Sequence, residues 1–463
     1  MTLVRNIGLE LEIPIVGSDY KACTYDEVLK LFQDFVSQGW KERIDGHTKQ
    51  LVGVYRLTPY GIEAVETDLG VCTLEVALPP IPNVIDTIEY WNNFKKTILF
   101  PNVKKHGIRL LGYGNQPISY PLNSYIAHKG HYEIYKNMMP YEDVDWFLDN
   151  FPGFSSVQFN FEIPKEKTIE IVNSFLRLSP LFWAISANDG VYDGKISKCI
   201  SHRLYAFLRL AKDKMEDRFG LPSSDFKGLC EYISRTWSVP VFEILREGKS
   251  YFPENDRMNT HDFISRGKEN FISLNGEKLE FECVLDDLYL AIYFSWLDYR
   301  IKFFFKDGLS KDILTHVIQN NDEVGILDLI DHIVLKIRPC SMQNLGEEVC
   351  LLVMFYLLVN NITQTNNVSD KIEYIDVKQS IGDVLLRGLN AEIGNKKIST
   401  LGIELLNSIP INEKIIYSEY LDPLLKRLNT NLSPSENSNN LIKNSGMSAF
   451  LQHITLNKDC FFS

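Results

Sequence analysis

The sequence predicts an α+β protein in which an antiparallel sheet with flanking helices is followed by a mainly helical C-terminal region. Three observations point there. Several short segments alternate apolar and polar side chains with the two-residue period of a strand, most clearly Ile7-Gly-Leu-Glu-Leu-Glu-Ile13 and Ser155–Ile163. Amphipathic stretches with helical spacing separate them. From Lys311 onward the pattern is helical. Strands separated by helices can also build a parallel sheet, but alternating faces favour an antiparallel sheet with one face open to a site.

In chain order, the first strand puts Glu10 and Glu12 on one face and Leu9, Leu11 and Ile13 on the other. Thr24 to Gln38 reads as a helix with Leu31, Phe32 and Phe35 inward, ended by Gly39. Strands follow at Gln50–Leu57, Gly61–Thr67 and Val71–Leu78, the last stopped by Pro79-Pro80. Asn83–Phe100 is helical, Ile108–Gly114 a strand, and residues 118–150 loop and helix. Lys165–Leu178 is helical, with Pro180 starting a further helix. Asn188-Asp-Gly190 marks a turn, residues 240–284 are mixed, and Asp286–Phe305 has room for a strand. Val349–Val359 is an apolar run too short to span a bilayer and reads as a buried helix. Thr363–Asp370 reads as a linker, and the polar run Ser433–Asn440 as a mobile loop.

The 463 residues suffice for one large domain or a few ordinary ones. A net charge of −12 argues against bulk binding of nucleic acid or an anionic membrane, both of which want a basic surface. Magnesium can still carry ATP to an acidic protein. The eight cysteines form no CxxC pair, which suits reduced thiols in a cytoplasmic protein.

Two carboxylates side by side on one strand face need a cation, a basic partner or open water. Glu10 and Glu12 are therefore either a solvated edge or ligands for a hard cation such as Mg2+ or Mn2+. Glu63, Glu66, Asp68 and Glu75 converge with them if the sheet is antiparallel. Glu75 lies among apolar residues, so it either faces solvent or has a partner. Gln158 and Asn160 share one strand face. Arg203 offers a guanidinium for an anion. Arg300 and Lys302 sit on one strand face amid phenylalanines, where phosphate, carboxylate or structural acids would satisfy them. His128 and His131, three apart, are a metal pair or a solvated loop, and Ala187–Gly194 reads as a surface turn.

The order of these pieces resembles the glutamate–cysteine ligase family of the plant and proteobacterial type. Gly8-Leu-Glu-Leu-Glu12 resembles its opening G-x-E-x-E strand, and Gln38-Gly-Trp40, Ala64-Val-Glu66 and Thr73-Leu-Glu75-Val follow in family order. Leu110–Pro117 resembles its G-x-G-x-x-P turn, and His128–Ile134 its K-G-R-Y-x-I segment with His131 at the arginine position. Val157–Glu162 is similar to V-Q-V-N-x-D, and Ala187–Lys195 to A-N-S-x-x-x-G-K. The resemblance covers residues 5 to 310 well and the helical tail loosely. It implies a curved antiparallel sheet of glutamine-synthetase-like type, with a catalytic core over 1–310 and a helical region over 311–463.

The resemblance further implies an ATP- and Mg2+-dependent carboxylate–amine ligase that forms an amide through an acyl phosphate, in gamma-glutamylcysteine-type or related amino-acid or peptide ligation. By the same resemblance Glu10, Glu12 and Glu75 hold metal, Arg203, Gln158 and Asn160 bind substrate, Asn160 and Arg300 contact nucleotide, and Arg300 and Lys302 act in catalysis. The implied partners are ATP and a small amino acid or peptide, with no nucleic acid and no membrane. One departure stands out. The family's late strand reads R-L-K-x-Y-L-E-x-R-G, and against Arg300–Gly308 it meets Lys306 at the acid and Gly308 at the second arginine. A catalytically inactive, ligase-like binding or regulatory protein is therefore the alternative.

Overall fold

A computed structural model describes residues 2–132, 144–211, 215–457 and 459. Glu133, Ile134 and Cys460 lie outside them, as does part of the 118–150 stretch. The strands of the main sheet are β1 (Ile7–Val16), β2 (Lys41–Ile44), β3 (Leu51–Thr58), β4 (Gly61–Thr67), β5 (Thr73–Ala77), β6 (Arg109–Leu110), β7 (Val157–Ile163), β8 (Tyr299–Phe305) and β9 (Ile330–Ile337). They form one nine-stranded sheet in the order β8-β9-β7-β1-β5-β4-β3-β2, with β6 paired to the end of β1. Every pairing is antiparallel.

Alternation in β1 sorts its side chains. Leu9, Leu11 and Ile13 are fully buried, and Glu10 and Glu12 turn to the other face. Helices α1 (Tyr25–Ser37), α2 (Val84–Phe94), α3 (Thr168–Ser186) and α4 (Glu348–Asn360) share one core with the apolar face. Phe159 of β7 meets Phe355 of α4 with ring centroids 5.6 Å apart, and Phe355 also meets Phe175 of α3. Burying such rings is the largest driving term for joining sheet and helices. Gly53 of β3 is needed for close approach, because a Cβ there would stand 2.4 Å from the Glu66 Cβ.

Several expectations are corrected. Region 311–463 is not helical throughout: Ile330–Ile337 is a strand, inserted between β8 and β7. Its Ile330, Ile333, Leu335 and Ile337 are all buried, so sheet burial adds to the strand preference of its isoleucines and valine. The expected strand at 108–114 is reduced to Arg109–Leu110. Pro180 does not start a helix but sits inside α3. Within 286–305 a helix, Leu285–Tyr293, precedes β8. The expected linker Thr363–Asp370 is instead a helix over Ile362–Ser369 with Asp370 as its C-cap, and Ser433 caps another over Pro434–His453. The mixed region holds a small antiparallel sheet of Ile244–Arg246, Lys249–Pro253, Lys268–Ser273 and Lys278–Glu282. Among the described residues no single helix is long and apolar enough to cross a membrane, and the Val349–Val359 run is buried within α4.

Candidate active site

Directly paired residues of an antiparallel sheet share a face, so register alone assembles the site. Glu66, Glu75 and Glu12 stand in one cross-strand row, Glu66 opposite Glu75 and Glu75 opposite Glu12. A second row runs Arg300, Lys336, Asn160, Gly8. Gln158 pairs with Glu10 between the rows. This polar face floors a cavity of about 390 Å³ whose acidic end includes Glu12, Glu66, Asp68 and Glu75 and whose basic end includes Arg203, Arg300, Lys336 and Arg338. Phe147, Phe151, Phe219, Phe294 and Trp296 add an aromatic wall. Tyr293 and Arg300 also border a second cavity of about 730 Å³, lined by Asp286, Tyr289, Lys302, Phe303 and Phe305.

Partners give the carboxylates opposite states. Burial opposes ionisation of Glu10, but Lys336 and Lys302 outweigh it and hold Glu10 well below the usual carboxylate range. Lys336 Nζ donates to Glu10 Oε2, Asn160 Nδ2 donates to Oε1 at 2.9 Å, and Lys302 Nζ lies 3.7 Å from Oε1. Glu12 has neutral donors instead, Ser156 Oγ at 2.6 Å and the Gln158 amide. Burial, then the charge of Asp68, pushes Glu12 up to about 7. Burial and the neighbouring Glu66 raise Glu75 well above its ordinary value, and burial raises Asp68. Glu66 is the satisfied member of its row, taking Arg43 at 2.6 Å and Lys129 at 3.3 Å.

The basic end is held by backbone. Arg203 donates to the carbonyls of Arg338 at 3.1 Å and Pro339 at 3.4 Å, and at the start of its helix, His202–Leu210, the buried Asp189 carboxylate accepts from the Arg203 N–H at 2.6 Å. Arg338 Nη1 donates to Gln158 Oε1 at 2.9 Å, so Arg338, Gln158 and Glu12 form one chain of hydrogen bonds. Arg300 turns to the carbonyls of Tyr293 at 3.0 Å and Ser295 at 3.4 Å, while its buried Nε has no partner among the described residues. Burial, then Lys336, draws Lys302 down to about 7.

Glu10, Glu12, Glu75, Gln158, Asn160, Arg300 and Lys302 thus share one sheet face, Arg203 reaches the first cavity from the helix His202–Leu210, and Lys302 lies toward the second. Gln158 and Asn160 line neither cavity, and Glu63 does not converge with the other acids but pairs with Arg56 and Tyr90. The solvated-edge alternative for the Glu10/Glu12 pair is corrected, because the strand is central in the sheet; Glu10 has lysines at ion-pair distance, whereas Arg203 and Arg338 act on Glu12 from farther off. Lys336 and Arg338 escaped the sequence reading. Their signal was Val334-Leu-Lys-Ile-Arg338, alternating as Arg300 and Lys302 do, inside a stretch read as helix. Lys306 and Gly308 fall past the end of β8 and line neither cavity. His128 and His131 are no pair: His128 packs edge-on against Tyr25, and His131 lines the cavity, lowered to about 4 by burial and then by Lys129. Ala187–Gly194 is not an ordinary surface turn, because Asn188 and Asp189 are fully buried and Asn188 Nδ2 ties the carbonyls of Gly112 and Met342, each at 2.8 Å.

The donor set fits a hard dication in part. Glu12, Asp68 and Glu75 offer oxygen, and burial first, then neighbouring carboxylates for Glu12 and Glu75, raises their affinity for protons. Among the described residues no three His, Cys, Asp or Glu side chains are gathered closely enough to hold an ion unaided. Mg2+ typically takes one or two carboxylates and completes its shell with water and substrate phosphate. The basic end suits phosphate or carboxylate.

The antiparallel sheet thus brings an acidic row, a basic row and an aromatic wall to one cavity, and the family matched by the chain supports the coarse class of carboxylate–amine ligase. The chain belongs to glutamate–cysteine ligase family 2, whose profile matches residues 7–283. No curated protein matches it. Its fold is similar to that of glutamate–cysteine ligase from Francisella tularensis, solved in complex with AMP, with a TM-score of 0.56 at 11% identity over 100% of this chain and 90% of that one. A bifunctional glutathione synthetase from Pasteurella multocida gives a TM-score of 0.49 at 12% identity over 99% of this chain and 52% of that one. The ligase PafA, solved with the prokaryotic ubiquitin-like protein Pup, gives 0.44 at 10% identity over 98% and 73%.

Proposed function

We propose that the protein is an ATP- and Mg2+-dependent ligase that joins an amino-acid or peptide carboxylate to an amine, through an acyl phosphate, on a glutamine-synthetase-like sheet. The observation that carries this is the cavity in which Glu12, Asp68 and Glu75 face Arg203, Arg300, Lys336 and Arg338. Bound Mg-ATP would supply the phosphoryl group that activates the carboxylate. Glu12 and Glu75, with Asp68, are the carboxylates available to metal; Glu10 already has basic partners. Gln158 orients Glu12 by donating to it while accepting from Arg338. Arg203, with Gln158 and Asn160, binds the substrate carboxylate. Arg300 and Asn160 contact nucleotide, and Arg300 and Lys302 balance charge on the transferring phosphoryl group. The aromatic wall keeps water from the activated carboxylate. Residues 1–310 form the ligase core and 311–463 a region packed on it, with the core sheet borrowing β9. Seven unpaired cysteines among the described residues agree with a cytoplasmic protein.

The test is ADP release from Mg-ATP with the common amino acids, singly and in pairs. Release that needs both Mg2+ and an amino acid is expected. No ADP with any of them would favour the second reading, an inactive ligase-like binding or regulatory protein, for which the lysine seated on Glu10 is the motive.

A further inference from the structure

The aromatic side of the first cavity is a continuous band of rings with a guanidinium at each end. Phe219 and Trp296 are partners in a short parallel pairing, which lays their rings 5.4 Å apart and 11° from parallel. Phe207, one turn after Arg203 on the helix His202–Leu210, meets Phe219 at 6.4 Å. On the other side Trp296 meets Phe294 at 5.8 Å, and Phe294 meets Tyr293 at 5.5 Å. Arg203 lies over the Phe207 ring at 4.8 Å, and Arg300 over the Tyr293 ring at 5.1 Å. All of these side chains border the same cavity of about 390 Å³, a size suited to one small ligand. Arg203 is 7% exposed, so an anion that reaches it leaves water behind.

We propose that the amino acid this site takes carries an aromatic side chain, with its carboxylate on the Arg203 guanidinium and its ring on the band of Phe207, Phe219 and Trp296. The approach of Arg203 to Phe207 puts the anion position and the start of the band within the span of one amino acid. Successive rings offer a further ring offset or edge-on contacts, whose attraction exceeds that of area burial alone. The same band sets the selectivity. A glutamate side chain would bring a second carboxylate against rings that return no hydrogen bond, and a cysteine side chain covers too little of them. The inference rests on the ligase reading for calling this ligand a substrate, but not for its binding.

The test is calorimetric binding to the full chain of L-phenylalanine, L-tyrosine and L-tryptophan beside L-alanine, L-glutamate and L-cysteine. Each is titrated with and without Mg2+ and a non-hydrolysable ATP analogue. At least one aromatic amino acid should bind about tenfold or more tighter than each of the other three. Its carboxamide, which lacks the negative charge, should bind about tenfold or more weakly than the acid. Phe207→Ala should weaken the aromatic ligand by about tenfold. Phe207 and Trp296 are only partly buried, so Trp296→Leu is read in the same way if Phe207→Ala does not fold, and the ligand series decides alone if neither folds. No preference for an aromatic amino acid in either condition, a carboxamide bound as tightly as the acid, or unchanged affinity in a folded ring variant would each overturn the proposal. ADP release with glutamate or cysteine and no aromatic binding would overturn it and leave the ligase reading. Aromatic binding as expected with no ADP release would sink the ligase reading and leave this one standing.

Discussion

Glu10 and Glu12 are two residues apart on one strand, equally enclosed, and electrostatically opposite. The difference is whether the nearest donor is an ammonium or an amide, which no pattern of acidic residues encodes. Glu243, away from the site, isolates the effect of burial. It is 5% exposed, and one of its oxygens has no partner among the described residues. Burial, eased only by Ser250, pushes it up from 4.5 to about 7. Its folded value lies above its unfolded one, so its stabilising contribution is complete below pH 4.5 and is lost as pH rises through 7. The Glu243→Gln variant should therefore match the parent at pH 4 and melt higher at pH 8, by an amount of up to about 3 kcal/mol at roughly 1.4 kcal/mol per unit. Melting curves at the two pH values check this, and an equal or lower melting point at pH 8 would contradict it.

At the scale of elements, the polar run from Ser433 shows how composition misleads. Ser-Pro-Ser-Glu has the look of a loop, yet it is a capping box. Ser433 N–H donates to Glu436 Oε2 at 2.8 Å, and Ser433 Oγ accepts from Glu436 N at 3.3 Å. Proline at the first helical position completes the signal, which position within the run, rather than its overall polarity, makes readable. The helix start also serves the site's scaffold, because Ser435 Oγ accepts from the N–H groups of Asp189 at 2.8 Å and Gly190 at 3.0 Å, next to the loop that begins the Arg203 helix. Ser433→Ala should cost about 1 kcal/mol in urea unfolding, within the range for lost N-caps. A change under a few tenths would mean that the cap is not carrying the helix. Strand β9 was missed for a different reason. Its alternation follows directly on the helix Glu323–Leu329, and sheet pairing is what separates strand from helix in so short a run.

Across the whole molecule, one buried ion pair joins the N-terminal half to α4. Glu348, 1% exposed, accepts from Lys95 at 2.8 Å and from the Trp91 indole at 2.7 Å, and its second oxygen is unpartnered among the described residues. Such a pair adds little over an apolar replacement, but breaking one side strands a buried charge. Lys95→Met should lose about 3–5 kcal/mol by denaturant titration, and pairing it with Glu348→Leu should recover most of the loss. Additive losses in the double variant would show that the two side chains act independently.

Local order determined much of this protein. Alternation at Ile7–Ile13 and Ser155–Ile163 was enough for two central strands and for the polar face they share, because side-chain direction in a strand follows from sequence position alone. The shared face of Glu10 and Glu12, and that of Gln158 and Asn160, were legible for the same reason, while the buried helix over Val349–Val359 was legible from the length of its apolar run. Which carboxylate is neutralised was decided only by tertiary structure. Lys336 reaches Glu10 from a strand 326 residues away, across β7, and Arg338 reaches Gln158 over a separation of 180. Charge states depend on distance and burial, and the sheet register that sets both is a property of the folded chain rather than of any segment in it.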